Sequence, residues 1–221
     1  MRVTAGVQDY VKAIYELEQT EAPVSNGRLA GYFSFSAPAI TDMVKKLEAL
    51  QLVEYQSREG VRLTALGEKM ALEMIRHHRL LELYLVQALG MTWDEVHAEA
   101  EVLEHVISET LEDRIAEYLG HPQFDPHGAP IPARDGTIPS RSAQSLLALE
   151  VGAAALVAEV DDRDPARLRY LADLGLVPNT PIVLSARAPF DGPLTLLVGQ
   201  PPVERVIDSR LASRIQVSPP S

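Results

Sequence analysis

The chain has 221 residues, 46% hydrophobic and 23% charged, a composition far from that of disordered proteins and a length that suits two domains or one core with a sizeable appendage. No run approaches the roughly 18 apolar residues of a membrane span, and MRVTAGVQDYVKAIYELEQ lacks the basic, apolar, small-residue order of a signal peptide, so a cytoplasmic protein without a membrane partner is expected. Cysteine is absent, which excludes disulfides, thiolate metal sites and a cysteine nucleophile and leaves imidazole and oxygen as metal ligands. The net charge of −11 is unevenly spread: residues 1–75 carry 8 basic and 10 acidic groups, 76–140 carry 4 and 12, and 141–221 carry 8 and 9. All six histidines lie in the acidic middle segment.

From Val7 to Glu18 apolar residues recur at three- and four-residue steps, the period of an amphipathic helix. A short helix follows over Gly27–Tyr32, then a turn over Phe33–Ser36. A third helix runs to about Leu50, with Pro38 in its first turn where a missing amide proton costs nothing. VEYQS and VRLTALG are β-prone runs joined through Arg58, Glu59 and Gly60, a hairpin that completes a winged helix-turn-helix. Leu66–Leu89 reads as one long helix ending near Gly90. Thr92 to Leu119 reads as a second, opened by the capping box Thr92/Glu95 and closed by Gly120. Five prolines between Pro122 and Pro139, with Gly128 and Gly136, give linker composition. Beyond about Ser145 the β runs AALVAEV, PIVLSA and LTLLVG, with a helical stretch at 166–174, fit a small β-barrel. The expected architecture is mainly α with a small β domain, divided as a DNA-binding domain over 1–70, a helical domain with its Pro-rich linker over 71–140, and the barrel over 141–221.

On the first long helix His78 and Glu82 are four residues apart and share a face. Such a pair alone is commonplace and a solvated surface explains most instances. On the second, His97, Glu101, Glu104 and His105 fall at i, i+4, i+7 and i+8, so four metal-capable side chains form one stripe. Antiparallel packing of the two helices brings His78, Glu82 and His97 to one point, a mononuclear site in outline. Glu101, Glu104 and His105 lie further along, where Asp9 of the first helix adds a carboxylate and makes a second site. If the stripe is buried, a cation is its natural partner, because unpaired buried charge is costly.

HRLLE at 78–82, VHAEAEVLEHV at 96–106 and LGHPQFDPHGAPIP at 119–132, downstream of a winged helix-turn-helix, resemble the diphtheria toxin repressor family of metal-dependent transcriptional regulators over essentially the whole chain. PARLRYLADLGLVPNTPIVL resembles the family's SH3-like domain, which it shares with ferrous-iron transport accessory proteins. The resemblance implies a repressor of metal-homeostasis genes that binds a palindromic double-stranded operator as a homodimer when loaded with metal. It implies one site at His78, Glu82 and His97, completed from the SH3-like domain, where Asp164 is the candidate and Arg167, a cation, stands in place of a further ligand. A second site maps onto Asp9, Glu101, Glu104 and His105. Iron-responsive members carry methionine and cysteine where this chain has Asp9 and Glu101, and manganese-responsive members carry carboxylates. Ligand hardness points the same way, so Mn²⁺ is favoured, with Fe²⁺ as the alternative. Lys12 occupies a position where some manganese regulators have a further glutamate.

The recognition helix is expected at about Ser36–Leu50 with its N-terminal part in the major groove. Pro38 and Ala39 suit thymine methyls, Thr41, Lys45 and Lys46 suit phosphates, and Ser36 and Asp42 complete the base-facing set. The family has an amide where this chain has Asp42. Arg58 and Arg62 on the wing add backbone contacts. Two rival functions stay open at this level. A metallohydrolase could use two histidines and a glutamate, although HExxH, a Gly-rich phosphate loop and GxSxG are all missing and an enzyme leaves the wing unexplained. The other rival is a winged-helix regulator not gated by metal.

Overall fold

The computed structural model describes residues 4–56 and 59–220. Two compact units divide the chain, one comprising residues 1–77, 104–107 and 132–137 and the other 78–103, 108–131 and 138–221. Among the described residues no helix is long and apolar enough to cross a membrane.

In the first unit, α1 (Ala5–Glu18) buries Val7, Tyr10, Val11 and Ile14, the i, i+3, i+4, i+7 stripe of the sequence. α2 (Asn26–Phe33) starts at Ser25, whose hydroxyl accepts from the Arg28 amide, and stops at Ser34 in the left-handed region. α3 (Ala37–Ala49) has Pro38 in its first turn and sinks Ile40, Val44 and Leu47 into the same core. β1 (Val53–Gln56) and β2 (Gly60–Leu63) pair antiparallel, Val53 opposite Leu63 and Gln56 opposite Gly60. Val24 bridges Val61 alongside them. Gly60, at φ +117°, has the Val24 carbonyl only 2.4 Å from where a Cβ would stand, so this crossing of two backbones needs glycine. Arg58 lies outside the described residues.

α4 (Ala65–Leu89) begins two residues after β2 and runs unbroken through both units. The single helix expected over 92–119 is instead two, α5 (Val96–Leu103) and α6 (Glu109–Tyr118). Ser108 ends the continuity: its hydroxyl accepts from the Leu111 amide and caps α6, and the β-branched Val106 and Ile107 just before it are poor helix formers. Glu104 and His105 therefore leave the helical stripe and enter a turn.

The second unit holds a six-stranded antiparallel sheet in the order β3-β8-β4-β5-β6-β7. Its strands are β3 (Gln144–Ser145), β4 (Ala154–Val160), β5 (Pro181–Arg187), β6 (Leu194–Val198), β7 (Val203–Ile207) and β8 (Ile215–Ser218). Register shifts between Val157 and Glu159 and between Leu184 and Ala186 are the bulges that bend such a sheet around its core. Leu194, Leu196 and Val198 alternate inward and meet Leu168 and Leu171 of α7 (Pro165–Leu174), giving the SH3-like domain. α8 (Ser209–Ala212) leads into β8.

Residues 122–131 do not behave as the linker their composition suggests. Asp125 Oδ1 accepts from the amides of His127 and Ala129, the Val160 amide donates to the His127 carbonyl, and Arg141 donates to the Gly128 and Ala158 carbonyls. Proline and glycine here fix turns, because the Asp125 carboxylate and the end of β4 satisfy the segment's backbone.

Candidate metal centre and DNA-reading surface

Four side chains of the second unit converge. His78 and Glu82 project from one face of α4, His97 from the first turn of α5, and Asp162 from the loop between β4 and α7. His78 Nε2 lies 2.9 Å from Glu82 Oε1 and 3.1 Å from His97 Nδ1, and His97 Nδ1 lies 3.2 Å from Glu82 Oε1. Asp162 Oδ2 is 3.9 Å from His97 Nδ1. One proton on His78 Nε2 cannot serve both neighbours. A cation serves all three, since donor atoms about 2.1 Å from one ion and at right angles around it stand roughly 3.0 Å apart. His78 and Glu82 are buried, and Glu82 Oε2 has no hydrogen-bond partner, an orphaned acceptor at the floor of the group. The donor set of two imidazoles and two carboxylates, with no sulfur, fits a divalent first-row metal with oxygen affinity.

The surrounding groups orient these donors. Glu101 Oε1 faces the other ring nitrogen of His78 at 3.6 Å. His127 accounts for much of the rest: its Nε2 donates to the Trp93 carbonyl at 2.7 Å, its ring stacks on the indole, and its Nδ1 stands 3.6 Å from Glu82 Oε2 and 4.0 Å from Asp162 Oδ2. Burial opposes a charged His127 imidazole, but Glu82, Asp125 and Asp162 outweigh it and push its pKa up to about 9. Burial would likewise raise Glu82, yet His127, His78 and His97 hold it well below the usual carboxylate range. Asp125 is pushed up to about 7, by burial first and then by the Glu82 charge, against the pull of Arg79 and His127. Glu82 is thus kept ionised in the apolar interior, the form in which a carboxylate ligates.

The residues expected to act together separate into groups. His78, Glu82 and His97 meet as their spacing indicates. Asp164 does not join them: its Oδ1 accepts from the Ala166 and Arg167 amides as the N-cap of α7, and Arg167 lies beside its other oxygen at 3.5 Å. An aspartate directly before a proline at the first helical position is a capping signal, and it is Asp162, two residues earlier, whose carboxylate stands near His97. Asp9, Glu104 and His105 converge in the first unit, with His105 Nε2 3.0 Å from Asp9 Oδ1. Glu101, expected with them, has Oε1 3.6 Å from His78 Nδ1. Sequence reasoning missed Asp162 and His127. Their signals are slight: a carboxylate pair at the end of a β run, and a DPHG turn in which the aspartate can bond the amides after it.

Ser36, just before α3, and Pro38, Ala39, Asp42, Lys45 and Lys46 on it are exposed, as is Arg62 on β2. Thr41 is partly committed, its hydroxyl donating to the Ala37 carbonyl and accepting from Asn26 Nδ2, so a bond to phosphate would replace a bond within the helix. Phe35, 55% exposed at the entrance to α3, is a large apolar side chain on which no expectation fell.

Three families match in tandem: "Iron dependent repressor, N-terminal DNA binding domain" over residues 2–61, "Iron dependent repressor, metal binding and dimerisation domain" over 64–133, and the FeoA domain over 144–219. The iron-dependent repressor IdeR of Mycobacterium leprae (strain TN) is 37% identical over 123 residues, 56% of this chain and 54% of that protein. The chain thus spans about half the length of the curated relatives it matches. A solved manganese-dependent transcriptional repressor in complex with manganese is 39% identical, with a TM-score of 0.89, covering 97% of this chain and 100% of that one. The structure of the manganese regulator SloR is 32% identical, with a TM-score of 0.77, covering 97% and 98%.

Proposed function

This chain belongs to the diphtheria toxin repressor family of iron-dependent repressors, and from that premise we propose that it is a metal-gated transcriptional repressor, not an enzyme. It acts in the cytoplasm and grips a palindromic operator as a homodimer when Mn²⁺, or alternatively Fe²⁺, is held by His78, Glu82, His97 and Asp162. The observation that carries this reading is the convergence of His78 Nε2, Glu82 Oε1 and His97 Nδ1 within 3.2 Å of one another around a buried carboxylate. Manganese is favoured by the sulfur-free donor set.

A divalent ion bound there supplies two positive charges to the most acidic part of the chain and holds α4, α5 and the β4–α7 loop to one point. The side chains prepare that state. His127 keeps Glu82 ionised, Trp93 fixes the His127 ring, and Glu101 faces the outer nitrogen of His78, the arrangement by which carboxylates orient ligating imidazoles. Exposed α3 with Lys45 and Lys46, and Arg62 on the wing, supply the groove and phosphate contacts. Homodimerisation is supported by Leu89, Val102, Leu111 and Tyr118, large apolar side chains exposed on α4, α5 and α6.

The test is fluorescence anisotropy of labelled DNA from the protein's own upstream region, with Mn²⁺, Fe²⁺ or chelator, for wild type and His78→Ala. Binding is expected only with metal and is lost in the variant. Equal binding under chelation would leave a winged-helix regulator that metal does not gate. The order of Mn²⁺ and Fe²⁺ in the same titration names the signal.

A further inference from the structure

Among Asp9, Glu104 and His105 sits a positive charge the protein carries itself. Lys12 Nζ, from the turn of α1 after Asp9, lies 3.0 and 2.9 Å from the two oxygens of Glu104, and both side chains are buried. His105 Nε2 is 3.0 Å from Asp9 Oδ1 and 3.9 Å from Glu104 Oε1, and its Nδ1 is 3.0 Å from Gln8 Oε1. The carbonyl of Glu104 is met by His77 Nδ1 of α4 at 3.2 Å. Ligand atoms of Asp9, Glu104 and His105 come close enough for an ion, and the resemblance drawn from the sequence places one there.

We propose that the Lys12 ammonium is the resident cation of this cluster, so that the protein takes up one regulatory metal per chain, at His78, Glu82, His97 and Asp162, and fastens α1 to the 104–107 turn without metal. The inference rests on the proposed function for the identity of that one site. Three observations carry it. Both Glu104 oxygens already accept charge-assisted hydrogen bonds from the one Lys12 ammonium. A divalent ion ligated by Glu104 would stand beside the ammonium in a buried place, where like charges repel most. Both ring nitrogens of His105 are engaged, by Gln8 and by Asp9. A tethered ammonium is present at every metal concentration, so the cluster is a fixed joint while the other site is the sensor.

The protein is saturated with Mn²⁺, freed of loose metal by gel filtration, and its bound manganese counted by atomic emission for wild type, His97→Ala, His105→Ala and Lys12→Glu. Wild type is expected to hold one Mn²⁺ per chain, His105→Ala to keep it, and Lys12→Glu, which exchanges the cation for a carboxylate, to gain one. Two ions in wild type with one lost in His105→Ala would overturn the proposal. So would a Lys12→Glu protein that folds, by circular dichroism, and gains nothing. If that variant does not fold, the wild-type count against His105→Ala decides. His97→Ala separates the two readings: an ion lost there upholds the sensor site. A wild type without metal whose Lys12→Glu variant holds one ion would refute the sensor site and still uphold the role of Lys12.

Discussion

At the scale of single residues, two aspartates two positions apart do different work. Asp162 Oδ2 faces His97 and His127, whereas Asp164 caps α7. Asp162→Asn is expected to weaken Mn²⁺ binding with little change in melting temperature. Asp164→Ala should leave Mn²⁺ affinity unchanged and cost about 1 kcal/mol of stability, the usual loss on removing an N-cap. Calorimetric titration and thermal melts of both variants check this. His127→Phe preserves the stack on Trp93 and removes the ring nitrogen that faces and orients the Glu82 carboxylate, and a loss of about 10- to 100-fold in Mn²⁺ affinity is expected. His78, Glu82 and His97 were legible in the sequence because a spacing of four on an unbroken helix fixes their common face. Asp162 and His127 were not, because loops owe their positions to tertiary bonds, here between 124–130 and the end of β4, that no local pattern encodes.

At the scale of elements, the helices of the DNA-binding domain were legible almost to the residue, since each carries its own stop: Ser25 and Ser34 for α2, Pro38 for α3, the Gly60 crossing for the hairpin. The break between α5 and α6 was not, because Leu103, Ile107, Leu111 and Ile115 recur every four residues through it and only the Ser108 cap and the β-branched pair before it mark the interruption. The turn at 125–129 misled for the opposite reason, since proline and glycine mark loose chain and tight turns alike. Gly128 shows which this is. At φ +90° a Cβ there would stand 1.9 Å from the Ala158 carbonyl oxygen. Gly128→Ala is therefore expected to push the DPHG turn off β4, lower the melting temperature and weaken Mn²⁺ binding together, as His127 moves with the turn. A melt and a metal titration of this one variant test the coupling.

At the scale of the whole molecule, stability without metal and the binding of metal depend on pH in opposite directions. Without metal, His127 has a pKa of about 9, above its ordinary range, so its proton contributes stability that is complete below about pH 6.5 and lost as pH rises through 9. Asp125, raised to about 7, acts in the same direction, its stabilising proton lost as pH rises through 7. In chelator these two protons make the melting temperature fall as pH rises from about 4 to 9, Asp125 acting below about pH 7 and His127 above about pH 6.5, and His127→Gln should flatten the upper part of that fall. Metal binding runs the other way, because imidazoles ligate only when deprotonated, so DNA binding with saturating Mn²⁺ is expected to fade as pH drops from about 7 to 5.5. The acid excess at 76–140 was plain in the sequence. Seven of its twelve carboxylates stay exposed, and which four are buried, Glu82, Glu104, Glu112 and Asp125, is a matter of packing.

The burial of Glu82 also bears on time. Its side chain is fully enclosed, whereas His97 and Asp162 are each 27% exposed, so an ion enters and leaves on their side of the group. Entry scales with metal concentration while departure is set by how tightly the buried carboxylate and its partners hold the ion, so repression should begin promptly when metal arrives and lapse late when it goes. A cell equipped with this protein would average a fluctuating supply rather than follow each dip.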